Sequence, residues 1–407
     1  MSTPDTIAVV GGGQAGGWAA KTLRDEGFGG RIVLVGEEEH PPYERPPLSK
    51  AVLAGVAEPE TTHLFKPDAF SALGLDIRRG ERVAAIDRAT KHIALASGES
   101  IRYDKLILCT GGRARSLQVP GIELPGVFTL RTIADSLAIG RALDGPAKRL
   151  VVVGGGWIGL EVAATAKKRG AQVTVVEAMP RLCERTVPRE ISEHLLALHE
   201  KNGVEVILNC GLAGFACGPS GDISVRLGDG REISADVAVV GVGLVANDDL
   251  AREAGIACEN GILVDERCQS SDPDIFAAGD VAVAPNRWTG RRMRLESWQN
   301  AQDQAIAAAK SALGREVRYE PLPWFWSDQF DLNLQIYGMP APAHRAVVRG
   351  DRASGNFLVF YLEGDRIKAA VAANAARNLR FARRLIEQGK SVRDEDLADT
   401  RLALGKL

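Results

Sequence analysis

Several chemistries are missing from this 407-residue chain. It has no C-x-x-C pair, no H-E-x-x-H, and no cluster of histidines or cysteines at metal-ligand spacing, so a bound metal is not expected. It has no run of about 18 apolar residues, which removes a membrane-spanning helix. Its opening, Met1-Ser-Thr-Pro-Asp-Thr, lacks a basic stretch followed by an apolar one. Charge of one sign is also missing: 50 Lys plus Arg against 52 Asp plus Glu leaves −2, too little to draw the protein to nucleic acid or anionic lipid. These absences predict a soluble, unexported, cytoplasmic protein. The six cysteines, at 109, 183, 210, 217, 258 and 268, mostly sit in apolar or strand-like runs and read as reduced, packed thiols. His194 and His199 fall in Arg189–Gly203, an amphipathic helical pattern with a glycine stop, and read as surface or boundary residues.

Glycine is what the chain has in excess, 44 of 407 against a usual share of about 7%. The glycines concentrate in two places with the same grammar. Thr6–Val10 is a short buried-strand run leading into Gly11-Gly-Gly13-Gln-Ala-Gly16, and a helical pattern follows from Trp18. Gly11 permits the tight turn, Gly13 lets backbone approach a pyrophosphate, and Gly16 lets helix and strand pack closely. The helix start offers amide donors to phosphates. A second strand, Arg31–Val35, ends at Glu37, near where a carboxylate accepts hydrogen bonds from a ribose.

In mid-chain the pattern returns. Arg149–Val153 feeds Gly154-Gly-Gly156-Trp-Ile158-Gly159, a helix follows from Leu160, and the strand Gln172–Val176 ends at Glu177. Two fingerprints imply two dinucleotides, most economically one flavin and one nicotinamide, and hence an oxidoreductase. A carboxylate at 177 repels a 2′-phosphate and favours NADH, while Arg181 and Arg185 nearby leave NADPH open. Tyr103–Gly112 and Ala235–Gly243 are both apolar strands ending in a glycine turn, and Asp229-Gly230 reads as a hairpin. Ser271–Asp280 places an acid just beyond a strand and a glycine.

The two fingerprints, the threonine-glycine turn at Thr110-Gly111 and Phe276-Ala-Ala-Gly-Asp280 resemble the FAD-dependent pyridine nucleotide-disulfide reductases. Pro41-Pro-Tyr-Glu-Arg-Pro-Pro-Leu-Ser-Lys50 and Pro323-Trp-Phe-Trp-Ser-Asp-Gln329 resemble, more specifically, the ferredoxin reductases of bacterial oxygenase systems. The resemblance runs from Thr6 to about Arg401. Well-known members of the wider group carry a redox disulfide or a reactive cysteine near position 42, whereas this chain has no cysteine before Cys109. Thiol-based reduction of disulfides, peroxides or persulfides therefore lacks its nucleophile.

The resemblance implies an α/β fold with two Rossmann-like dinucleotide-binding domains, as in glutathione reductase, and a C-terminal α+β domain. The expected FAD domain covers 1–112 and 244–320, the NADH domain 113–243 and the C-terminal domain 321–407. It further implies that electrons pass from NADH through FAD to a [2Fe-2S] ferredoxin serving an aromatic-ring dioxygenase or a cytochrome P450. A thiol-independent NADH oxidase, a quinone or monodehydroascorbate reductase, and a flavin-binding signalling protein are the alternatives. Ala15, Glu37, Lys50, Val83, Arg131, Asp280 and Trp298 fall where the family contacts FAD, with Arg45 a further candidate beside Gly11, Gly13 and Gly16. Gly154, Gly156, Ile158 and Gly159 would line the NADH pyrophosphate turn, with Glu177 at the ribose and Arg185 and Gly243 close by. Lys50, Glu161 and Trp326 are the candidates nearest the chemistry. Trp157 would either gate the nicotinamide pocket or pack. Of two arginine groups, 287/291/292/294 and 377/380/383/384, the second is expected to help dock the acidic ferredoxin.

Overall fold

The computed structural model describes residues 5–218 and 220–407, so the reading of the opening residues up to Pro4 lies outside the described residues. The chain divides into two compact units, residues 1–45, 59–113 and 244–321 in the first and 46–58, 114–243 and 322–407 in the second. Residues 46–58, which carry Ser49 and Lys50, thus belong with the second unit.

The first unit is built on a parallel five-stranded sheet in the order Ile275–Ala277, Lys105–Leu108, Thr6–Val10, Arg31–Gly36, Asp76–Arg79. Alternate residues of a strand point to opposite faces, and here both faces are covered. Ile7 and Val9 join Leu34, Phe276 and the helices Gln14–Asp25 and Trp298–Ala312. Ala8 and Val10 join Val33, Val35, Leu106 and a small antiparallel sheet running from Val83 to Arg102. This is why Thr6–Val10 reads as an unbroken apolar run. Asp104, just before the strand Lys105–Leu108, accepts hydrogen bonds from the amides of Asp5 and Thr6 and ties the two strand starts together.

The second unit repeats the plan. Its parallel sheet runs Glu205–Ile207, Gln172–Val176, Arg149–Val153, Val237–Val240, Val127–Phe128. Asp236 does there what Asp104 does in the first unit, accepting from the Arg149 amide at 2.8 Å and from its guanidinium at 2.7 Å. The hairpin around Asp229-Gly230 joins Ile223–Leu227 to Glu232–Ala235, with Gly230 at φ +89°.

The same unit carries an antiparallel sheet ordered Trp324–Gln329, Leu332–Gly338, Arg366–Ala373, Asn356–Glu363, Arg345–Asp351, followed by the helix Ala376–Gln388. The edge strand Arg345–Asp351 was not anticipated, because only Val347 and Arg349 of its seven residues are buried. Arg349 is the unusual one. Its guanidinium donates to the carbonyls of Leu397, Asp399, Thr400 and Leu402 and so fastens the C-terminal segment.

One expectation is corrected. His199 is not a surface or boundary residue but fully buried, its ring 5.2 Å from that of Phe330 and its Nε2 2.9 Å from Gln329 Oε1. The helix Arg189–Lys201 lies in one core cluster with Leu332, Leu334 and Phe357 of the C-terminal sheet, so it is covered over more of its circumference than a one-faced pattern suggests.

Candidate functional site

Each parallel sheet delivers its central strand into a glycine turn. In the first unit Gly11 has φ +116°, and a Cβ there would lie 2.1 Å from the Cys109 carbonyl oxygen. A Cβ on Gly16 would lie 1.9 Å from the Gly11 carbonyl oxygen. Neither position accepts a side chain. Gly13 differs: it caps the helix Gln14–Asp25 without any side-chain cap, and the nearest atom to a Cβ there is Arg45 Nη2 at 3.9 Å. Open space and free amides thus meet at Gly13. The helices that begin at Ile133 and Trp298 are by contrast capped by the side chains of Thr132 and Ser297.

Arg45 is positioned by its neighbours. It donates to Glu38 Oε1 at 2.8 Å and to the Tyr43 hydroxyl at 2.7 Å, and its guanidinium stands 5.0 Å from the Tyr43 ring centroid. Burial works against its charge, but the fields of Tyr43, Glu38 and Asp280 prevail and hold it firmly cationic. Asp280 follows Gly279, whose added Cβ would lie 3.1 Å from that of Ala15. Gln14 Nε2 reaches the Trp298 carbonyl oxygen at 2.9 Å. Gly13, Ala15, Arg45, Asp280 and Trp298 therefore gather around the first turn. Glu37 is exposed at the end of the second strand, and Val83 is buried at the start of the antiparallel sheet. Lys50 and Arg131, assigned by resemblance to the same ligand, belong to the second unit.

The second turn has the same geometry. Gly154 has φ +110° with a Cβ position 2.4 Å from the Gly241 carbonyl oxygen, and Gly159 would clash with the Gly154 carbonyl oxygen at 2.1 Å. At Gly156 a Cβ would meet nothing within 4 Å, and Gly156 too is a helix cap without a side-chain partner. Ile158, in the first turn of that helix, leaves 46% of its surface exposed. Glu177 folds back onto the turn: Oε2 accepts from the Gly155 amide at 2.6 Å and Oε1 from the Met179 amide at 2.8 Å. Gly243, at φ +121°, has Arg185 Nη2 and Arg115 Nε 3.6 and 3.7 Å from its Cβ position. Arg181 is occupied elsewhere, donating to the carbonyls of Val187 and Glu184 and to Ser192 Oγ.

A buried carboxylate completes the second unit. Glu161 is 3% exposed. Its Oε2 accepts from Lys50 Nζ at 2.6 Å and Ser49 Oγ at 2.5 Å, and its Oε1 accepts from Ser327 Oγ at 2.7 Å. On the strand Trp324–Gln329 the alternation holds. Trp324 and Trp326 stack on one face with centroids 5.0 Å apart, and Phe325 turns to the other, 4.9 Å from the Trp157 ring. Trp157 therefore packs against the core at one of its edges.

Comparison with known proteins places this geometry. Residues 5–305 match the family model described as pyridine nucleotide-disulphide oxidoreductase, and residues 324–407 match the one described as reductase C-terminal. The chain belongs to the pyridine nucleotide-disulphide oxidoreductase family. Among its relatives, the ferredoxin–NAD(+) reductase subunit of the benzene 1,2-dioxygenase system of Pseudomonas putida is 42% identical, over 97% of this chain and 95% of that one. Rhodocoxin reductase of Rhodococcus erythropolis is 40% identical, over 97% and 92%. Among solved structures, a chain of the covalent putidaredoxin reductase–putidaredoxin complex superposes with a TM-score of 0.95 at 37% identity, over 100% of this chain and 98% of that one.

Within this pyridine nucleotide-disulphide oxidoreductase the residues fit two dinucleotides. Both second glycines face open space at an uncapped helix start, and a cation stands beside each turn, Arg45 at the first and Arg185 with Arg115 at the glycine that ends the strand next to the second. Sequence reasoning missed Arg115 and Glu38, which had no signal of their own. It also missed Tyr43, Ser49 and Ser327, which sit inside the two most specific strings of the resemblance. The cysteines are free, and four of the six are buried. Burial pushes the Cys109 thiol up to about 12, so the cysteine nearest the first turn is held as an unreactive thiol. No described helix is long and apolar enough to cross a membrane.

Of the arginine groups, the first is largely tied into the fold: Arg292 donates to the Val264 carbonyl, Arg294 to that of Asp280, and Arg287 lies over Trp288. In the second, Arg383 pairs with Glu387, while Arg377, Arg380 and Arg384 are exposed on the closing helix beside Phe381.

Proposed function

We propose that the protein takes electrons from NADH onto FAD and passes them to a [2Fe-2S] ferredoxin that serves an aromatic-ring dioxygenase or a cytochrome P450. The observation that carries this reading is the pair of intact, uncapped glycine turns in a chain with no cysteine before the buried Cys109. With two dinucleotide sites and no thiol relay, electrons must leave to an outside acceptor. FAD, when bound, accepts the electron pair of a hydride and releases it one electron at a time.

The chain's own residues do the rest. The amides after Gly11 and Gly13, Arg45 and Asp280 hold the flavin dinucleotide, with Ala15, Glu37, Val83 and Trp298 around it. The Gly154–Gly159 turn, Glu177, Arg185 and Gly243 hold NADH. Glu177 would meet the ribose with its remaining lone pairs and repel a 2′-phosphate, and Arg181 is engaged within its own loop, while Arg185 stands by Gly243. Glu161, on the helix that follows the NADH turn, holds Lys50 as its cationic partner, and Trp326 presents a flat aromatic face. Exposed Arg377, Arg380 and Arg384 offer an acidic ferredoxin an electrostatic landing face.

The test is anaerobic titration of the purified yellow protein with NADH, then addition of a [2Fe-2S] ferredoxin while flavin and iron-sulfur absorbance are recorded. Bleaching followed by flavin reoxidation as the ferredoxin is reduced is expected. Bleaching with rapid oxygen or quinone reduction, and no transfer to any ferredoxin, would overturn it in favour of an oxidase or quinone reductase.

A further inference from the structure

The ion pair of Lys50 and Glu161 does not end at Ser327. Ser327 Oγ also lies 3.0 Å from Gln329 Nε2, and Gln329 Oε1 lies 2.9 Å from Nε2 of His199. Glu161, Ser327, Gln329 and His199 are all buried, so four polar side chains run in file through apolar surroundings formed by Leu195, Leu332, Leu334 and Phe330.

Chemistry gives this file a direction. Glu161 accepts from the Lys50 ammonium at 2.6 Å on one oxygen and presents the other as an acceptor, so the Ser327 proton points to Glu161. Ser327 must then accept from Gln329, which turns the Gln329 amide nitrogen toward the serine and its oxygen toward the histidine. That oxygen needs a donor, which places the proton of His199 on Nε2 and leaves Nδ1 bare. Nδ1 is buried and has no hydrogen-bond partner, as a bare acceptor nitrogen tolerates better than a buried N–H would. Every donor in the file therefore points the same way, and the dipoles add at Glu161.

We propose that Ser327, Gln329 and His199 are positioning residues, a one-way hydrogen-bond relay that holds the Glu161 carboxylate fixed against Lys50 and thereby sets the rate of hydride transfer. The proposal rests on the reading above, in which Glu161 lies on the helix that follows the NADH turn and holds Lys50. Burial holds the His199 imidazole neutral, with Gln329 its hydrogen-bond partner. The titratable groups facing Glu161 are Lys50 and the buried thiol of Cys183, which burial and the charges of Glu177 and Glu161 keep protonated.

Two measurements on the flavin-loaded protein test this. In protein labelled with 15N-histidine, His199, assigned by its loss in His199→Gln, should show the neutral Nε2–H form throughout about pH 6 to 8.5. An Nδ1–H form or an imidazolium would overturn the direction of the relay. In stopped flow with NADH alone, Ser327→Ala and Gln329→Leu should lower the limiting rate of flavin reduction about tenfold with the NADH dependence within about twofold. His199→Leu should lower it about threefold, whereas His199→Gln, which retains a donor at the same place, should restore it. Unchanged rates in Ser327→Ala and His199→Leu, or an equal loss in His199→Gln, would reduce the file to core filler. Ferredoxin is absent from both measurements, so failure to reduce a ferredoxin leaves them intact. A wild-type flavin that NADH cannot reduce would remove the functional reading, while the histidine spectrum would still report the relay.

Discussion

Gly13 and Gly156 occupy the same place in the same motif, yet the guanidinium of the first turn, Arg45, lies 3.9 Å from a Cβ at Gly13, whereas those of the second, Arg185 and Arg115, stand by Gly243 and leave a Cβ at Gly156 with nothing within 4 Å. The acids that follow differ in the opposite sense. Glu37 is exposed, whereas Glu177 is bonded to the backbone of its own glycine turn. The first unit thus brings a fixed cation to its turn, which on the proposed function suits a resident diphosphate. The second keeps its turn pre-shaped by an internal carboxylate and leaves Gly156 open, which on the same proposal suits a ligand that arrives and departs each cycle. The local grammar is the same in both, and neighbours brought by the fold make the difference.

The sharpest way to break the comparison is to block each turn in turn. Gly11→Ala should yield protein without flavin, because a Cβ at φ +116° meets the Cys109 carbonyl; its flavin absorbance is the measurement. Gly154→Ala should retain the flavin yet raise the KM for NADH by more than about tenfold. Equal flavin loss in both variants would show that the two sites are not separately assigned.

Next come the acids. Glu177→Ala should raise the KM for NADH about tenfold, since it loses ribose contact and turn support together, while Glu37→Ala should weaken flavin retention only about threefold. Trp157→Ala should change the KM for NADH about threefold without altering flavin content, and unchanged NADH kinetics would leave that ring as packing alone. Replacing exposed Arg380 and Arg384 with glutamine should raise the KM for ferredoxin about threefold and flatten its salt dependence, leaving NADH kinetics untouched.

The smallest effect concerns acid. Asp104 and Asp236 close equivalent strand pairs. For Asp104 burial pushes the carboxyl up, but the amides of Thr6 and Asp5 outweigh it; for Asp236 the Arg149 side chain holds the carboxyl down, against burial. Both lie below their ordinary range in the folded protein, so each contributes stability that is complete above about pH 4 and is lost as pH falls through the folded value. Asp236→Asn should flatten the acid side of the thermal-unfolding profile more than Asp104→Asn, because its partner is a guanidinium. Denaturation followed from about pH 6 to 3 checks the order.

Much of this was legible in one dimension. Both glycine turns, their strands and helices, the acids at 37 and 177 and the hairpin at Gly230 follow from local rules: a Cβ cannot fit at Gly11 or Gly16, and a strand buried on both faces must be apolar throughout. The alternation of Trp324, Phe325 and Trp326 was equally readable. His199 was not, since a helix whose exposed face is later covered by another sheet looks the same in sequence as one that stays exposed. Nor was the strand Arg345–Asp351, whose buried arginine is satisfied only by carbonyls some fifty positions on.

By itself, then, the order of residues determined two dinucleotide turns, the absence of a reactive thiol before Cys109, and a likeness to reductases that hand electrons onward. Tertiary structure alone decided that Glu38 and Tyr43 hold Arg45 at the first turn, that Lys50 meets Glu161, and that Ser327, Gln329 and His199 line up behind that carboxylate. The reason is one of range. A turn or strand is set by sterics between near neighbours, whereas a buried charge is stable only where partners from distant parts of the chain converge on it.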